Sequence, residues 1–129
     1  MIRRFALPLL LASGLVAACS NPTVEAPTNR GICWSMSKDD AGKYSFHRVA
    51  SNVPNMEHCA ANLEALRQKF LGLGGNRREL TGAYQGVFIF VRPQGIYTAP
   101  EYDRTPWLAL VRTQDGRLVV PGLQSQPAP

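Results

Sequence analysis

The sequence predicts an α+β fold: an antiparallel sheet of five to six strands with one amphipathic helix on one face, in the order ββαβββ(β). Three observations carry that reading. Only the segment from Met56 to Phe70 places its apolar residues at three- and four-residue steps. The apolar runs on either side of it alternate, or are rich in β-branched and aromatic residues, and turn residues separate them at short intervals. A helix laid on one face of an antiparallel sheet buries one helical stripe and one sheet face together.

The first strand is read from Ile32, Trp34 and Met36 alternating with Cys33, Ser35 and Ser37. Lys38-Asp39-Asp40-Ala41-Gly42 is turn chemistry, and Lys43 to Val49 resumes with Tyr44, Phe46 and Arg48 on one face, which predicts a hairpin. Pro54-Asn55 then offers a helix cap. Met56, Cys59, Leu63, Leu66 and Phe70 form one stripe, with Glu57, Glu64, Arg67 and Gln68 expected on the opposite, solvated face. Gly72, Gly74 and Gly75 stop the helix, and Cys59 is expected to face the core.

A polar link with Arg77, Arg78 and Glu79 leads to Tyr84–Val91, apolar on both faces beyond Gln85 and therefore expected as the central strand. Pro93-Gln94-Gly95 turns the chain into Ile96-Tyr97-Thr98. A loop with Pro100 and Pro106 leads to Trp107–Val111, and Asp115-Gly116 before Arg117–Val120 is a strong hairpin signal. No internal repeat is present.

Residues 1–18 read as an export leader, with Arg3 and Arg4 ahead of an uncharged, Leu- and Ala-rich stretch from Phe5 to Ala18. That stretch falls short of the about 20 apolar residues that a membrane span needs. It ends in Val16-Ala17-Ala18-Cys19, which resembles the lipobox of bacterial lipoproteins, with Val16 where Leu is commonest. The resemblance covers those four residues and the leader. It implies that Cys19 is acylated, becomes the first residue of the mature chain and anchors it in the cell envelope facing the periplasm. Ser20 after the cysteine resembles the outer-membrane pattern. Secretory cleavage after Ala18, giving a soluble periplasmic or secreted chain, is the alternative.

With Cys19 assigned to lipid, Cys33 and Cys59 are left as a pair and are expected to form a disulfide in an oxidising compartment. Strand alternation raises a conflict: Trp34 and Met36 look core-facing, yet the bond needs Cys33 to face the helix. Either Trp34 packs on a second surface or the register is irregular.

Residues 19–30, polar and holding Pro22 and Pro27, are expected as a flexible tether reaching at most ~40 Å. Residues 31–122 are expected as a single small α+β domain and residues 123–129 as a disordered tail. Loss of the leader takes the formal charge from +5 to +3, because Arg3 and Arg4 go with it. A mildly basic exported chain suits a membrane held through lipid on Cys19, an envelope protein or an anionic cell-wall polymer as partner. Nucleic acid is a poor candidate, since export removes the chain from it and no basic run is interleaved with aromatics.

Catalytic patterns are weak. His47 and His58 have no accompanying ligand cluster, so no metal site and no cofactor are expected. Ser35, Ser37, Ser45 and Ser51 sit in no nucleophile motif, and Asp39-Asp40 and Glu101 with Asp103 read as loop charges. Gly72-Leu73-Gly74-Gly75 follows a helix, whereas a phosphate loop opens one. A binding surface is sought at Arg77, Arg78, Tyr102, Arg104 and Trp107, although Trp107 is also expected inside, in a chain with few core aromatics. The expected function is a membrane-anchored envelope lipoprotein with a non-catalytic binding or accessory and structural role. The alternatives are an envelope enzyme with a scattered site, and a lysozyme-inhibitor-like protein, against which the basic charge and the helix both argue.

Overall fold

A computed structural model describes residue 14, residues 24–76 and residues 78–121. The expected leader cleavage site, Cys19, Arg77 and the C-terminal tail lie outside the described residues. The fold is α+β, as expected: strands β1 (Cys33–Lys38) and β2 (Tyr44–Ala50), helix α1 (Met56–Gly72), then β3 (Leu80–Tyr84), β4 (Val87–Arg92), β5 (Gly95–Ala99), β6 (Trp107–Arg112) and β7 (Leu118–Val119). They form one antiparallel sheet in the order β2-β1-β3-β4-β5-β6-β7. The helix carries the chain over β1, so that β3 pairs with β1 and β2 stays at the edge.

Two strands, β3 and β4, stand where the sequence predicts one central strand over Tyr84–Val91. The polar link and the single central strand are a hairpin, in which Tyr84 pairs with Val87 around Gln85-Gly86. Both turn residues have left-handed backbone, φ 45° and 83°, the two-residue turn whose twist suits a hairpin. Gln-Gly is a weaker signal than Asn-Gly, and Leu80–Tyr84 contains Gly82 and Thr81, so the run lacks the apolar density that marks a strand. Gly82 is small for a reason: a Cβ there would overlap Leu63 of the helix and the backbone of Trp34.

Asn55 caps the helix by accepting from the His58 amide at 2.9 Å. Its buried residues are Cys59, Ala60, Leu63 and Arg67, packed over β1, β3 and β4 with Ile89, Val91, Leu80 and Ile96. The expected stripe is therefore rotated at its C-terminal end, where Phe70 is 39% exposed and Arg67, expected in solvent, is 7% exposed. A disulfide joins Cys33 to Cys59 across a separation of 26 residues, with Cα atoms 5.3 Å apart. In the chain-entropy account a loop of that length contributes about 3.5 kcal/mol.

The conflict at Cys33 resolves because both faces of the sheet are covered. Cys33 packs with the helix, while Trp34 and Met36 belong to a second cluster on the opposite face with Ala83, Phe88, Phe90, Ala99, Phe46 and Tyr97. A register shift between Cys33 and Trp34 accompanies the change of side. Part of what covers this second face comes from the expected tether: Val24 and Ala26 pack against it, the Gly86 amide donates to the Pro27 carbonyl at 2.9 Å, and the Gly31 amide donates to Gln85 Oε1 at 3.0 Å. Residues 24–30 are thus a docked part of the domain and not free tether. Pro27 has no amide to give to a regular ladder, but the apolar side chains of Val24 and Ala26 still pack.

Candidate functional site

The second face of the sheet brings aromatic and cationic side chains together. Phe88 lies 6.4 Å from Phe46 and from Phe90, and Tyr102, from the loop before β6, closes over it at 5.7 Å. Guanidinium and ammonium groups sit on these rings: Arg48 over Trp34 at 6.0 Å, Arg92 over Tyr97 at 5.0 Å, and Lys38 over Tyr44 at 5.4 Å. Strand alternation places every second residue of β1, β2, β4 and β5 here, which is why residues distant in sequence share one surface.

Tyr44 and Tyr102, with ring centres 5.3 Å apart, line two depressions. The first, about 550 Å³, is lined by Lys38, Arg78, Thr81 and Gln94, with Glu79 as its carboxylate. The second, about 670 Å³, is lined by the docked segment from Val24 to Thr28 and by Glu25, Glu101 and Asp103. The two tyrosines contribute to both, so charge is segregated: cations predominate in the first depression and carboxylates in the second. Burial, together with the neighbouring Tyr44 hydroxyl, raises the Tyr102 phenol above its ordinary pKa, so it stays neutral through the physiological range.

A charge cluster behind the first depression holds its wall. Glu64 accepts from Arg112 at 2.6 and 2.9 Å, from Arg67 at 3.1 Å through two nitrogens, and from Gln68 at 3.0 Å. Burial opposes ionisation of Glu64, but the hydrogen bonds from Arg112, Arg67 and Gln68 and the Arg112 charge outweigh it and hold the carboxyl at about 2. The arginines reach onward: Arg67 Nη1 donates to the Arg78 carbonyl, and Arg112 donates to the Pro93 and Arg92 carbonyls. The cluster thereby ties α1 to the link before β3, to the β4–β5 turn and to β6. It fixes the backbone from which Arg78 and Gln94 project.

Of the residues expected at a binding surface, Arg78 and Tyr102 meet in the first depression, and Arg77 lies outside the described residues. Arg104 is paired with Glu101 at 3.2 Å, in an exposed bridge. Trp107 is 78% exposed at the start of β6, not packed inside. The cause is a bulge: Ile96 pairs with Leu110 but Tyr97 with Leu108, so Ala109 is the extra residue and the first part of β6 changes side. Trp107 then falls opposite Thr98, on the helix-bearing face. Lys38, Tyr44, Thr81 and Gln94 were not anticipated. For Lys38 and Tyr44 the sequence signal is the β1–β2 turn, which brings the two side by side in the register; Thr81 and Gln94 carry no such signal.

Among the described residues, no group of three His, Cys, Asp or Glu is placed to hold a metal ion, and no helix is long and apolar enough to cross a membrane. His47 Nε2 is 2.9 Å from Ser37 Oγ on the exposed β1–β2 ladder, with no carboxylate bonded to the ring. No family model, curated protein or solved structure matches the chain.

Proposed function

We propose that this chain is a membrane-anchored envelope lipoprotein with a non-catalytic binding role, held through lipid on Cys19 and taking an anionic envelope component into the first depression. One observation carries the binding assignment. Lys38 and Arg78 line a depression beside two tyrosines, and neither has an ion-pair partner among the described residues. Unpaired cations next to amphipathic rings favour an anionic ligand with a planar or apolar surface. The strongly shifted carboxylate, Glu64, is driven downward and occupied by two arginines, which is the opposite of a poised general acid.

The two parts are tested separately. Mass spectrometry of the detergent-extracted protein should find a diacylglyceryl group on Cys19; a free N-terminus on a soluble chain would remove the anchor. A photo-crosslinking amino acid at Gln94, in the depression, should capture an envelope component in cells, whereas one at Ala61, exposed on the helix, should not. Capture at Gln94 that persists unchanged in the Lys38→Gln/Arg78→Gln variant would refute the binding assignment.

A further inference from the structure

The docking of residues 24–30 shortens the leash, and this sets the orientation of an anchored domain. Cys19 lies five residues before Val24, and Val24 packs against the aromatic face. Five residues span at most ~18 Å when fully extended. A chain that leaves from one face on so short a leash cannot present the opposite face to the lipid without rounding the edge of the sheet. The aromatic face also has the chemistry of a headgroup contact. Arg48, Arg92 and Lys38 are stacked on its rings, with Arg78 at the first depression, and Glu25 and Asp103 sit at the second, beside the point where the leash leaves. Among the described residues the helix face lacks this arrangement: the buried Arg67 and the partly buried Arg112 are both paired with Glu64.

We infer that the lipid anchor holds the aromatic face against the headgroup layer of its own membrane, phosphates meeting the Lys38 and Arg78 depression and primary amines the Glu25 and Asp103 depression, with the helix turned away. This rests on the proposed acylation of Cys19 and names the anionic component of the first depression as a phospholipid phosphate. Tyr and Arg suit such a boundary, because each joins an apolar body or plane to a polar or charged group. Basic residues close to an anionic leaflet add to its hold.

The two tryptophans report orientation, since Trp34 is on the aromatic face and Trp107 on the helix-bearing face. Acylated protein from detergent extracts is reconstituted into vesicles of phosphatidylethanolamine and phosphatidylglycerol carrying a headgroup-linked dansyl acceptor. The Trp107→Phe variant then reports Trp34 and the Trp34→Phe variant reports Trp107, with transfer taken from donor lifetimes so that differences in intrinsic emission cancel. Transfer from Trp34 should exceed that from Trp107, and the excess should narrow in a Lys38→Gln/Arg78→Gln background whose melting temperature is unchanged, because the leash remains and only the phosphate contact is removed. Equal transfer, or a larger transfer from Trp107, in protein whose Cys19 is shown by mass to be acylated overturns the orientation and leaves the anchor standing. An unacylated Cys19 overturns both.

Discussion

The helix-bearing face of the sheet and the aromatic face are closed by different means. On the first, a helix is bonded covalently through Cys33–Cys59 and tied at its other end by Glu64 between Arg67 and Arg112. Tyr84 donates to the Val53 carbonyl at 2.7 Å, so even the approach to the helix is pinned. On the second, an irregular segment and a loop lie over stacked rings, and the buried Trp34 Nε1 has no hydrogen-bond partner among the described residues. The difference separates two tasks. Covalent and charge-assisted links hold the scaffold, while at the rim of the covered second face Lys38 and Arg78, without ion-pair partners among the described residues, stay exposed at a depression, as a binding surface requires.

The strongest way to break this comparison is to remove core volume from each side. Leu63→Ala should cost about 2–5 kcal/mol and Phe88→Ala about 3–5 kcal/mol, both read from urea midpoints. A loss below 1 kcal/mol for Phe88 would mean that the aromatic face is not a second core. Next in size, Cys33→Ala/Cys59→Ala should lower stability by about 3.5 kcal/mol, and the wild type should lose a similar amount on reduction. An unchanged melting temperature in reductant would sever the covalent half of the contrast.

Glu64→Gln should cost roughly 2–3 kcal/mol, because two arginines lose a charged acceptor. The same residue predicts a pH dependence. Its carboxyl is held at about 2 in the folded chain against an ordinary 4.5, so the unfolded chain takes up the proton first as pH falls. The contribution is fully present above 4.5 and disappears as pH drops through about 2. The stability difference between wild type and Glu64→Gln should therefore shrink over that interval, and a constant difference would assign the cost to packing alone.

Asn55→Ala should cost about 1 kcal/mol through loss of the cap. Smallest of all, Trp107→Ser should stay within about 0.5 kcal/mol. A large loss would place Trp107 in the core and remove the bulge-driven change of side from the account.

Much of the scaffold was legible in the sequence because its signals are local. A helical stripe, a cap at Asn55, an Asp115-Gly116 turn and an odd cysteine count need only neighbouring residues or a simple inventory. Tertiary structure alone decided the rest. The split at Gln85-Gly86 depends on whether Leu80–Tyr84 finds a partner in β1, and Trp107 points outward because of a bulge in the β5–β6 register. Arg67 and Glu64, polar and so assigned to solvent, are buried and partly buried respectively, because Arg112, 48 residues along the chain from Glu64, completes their charge and hydrogen bonding. The site follows the same rule: Lys38, Tyr44, Arg78 and Tyr102 have no mutual spacing, and it takes the β1–β2 pairing, the link before β3 and the loop before β6 together to bring them to one surface. Periodicity states which face a residue shares with its neighbours, whereas burial on the far face and the company a charge keeps are set by contacts between distant segments.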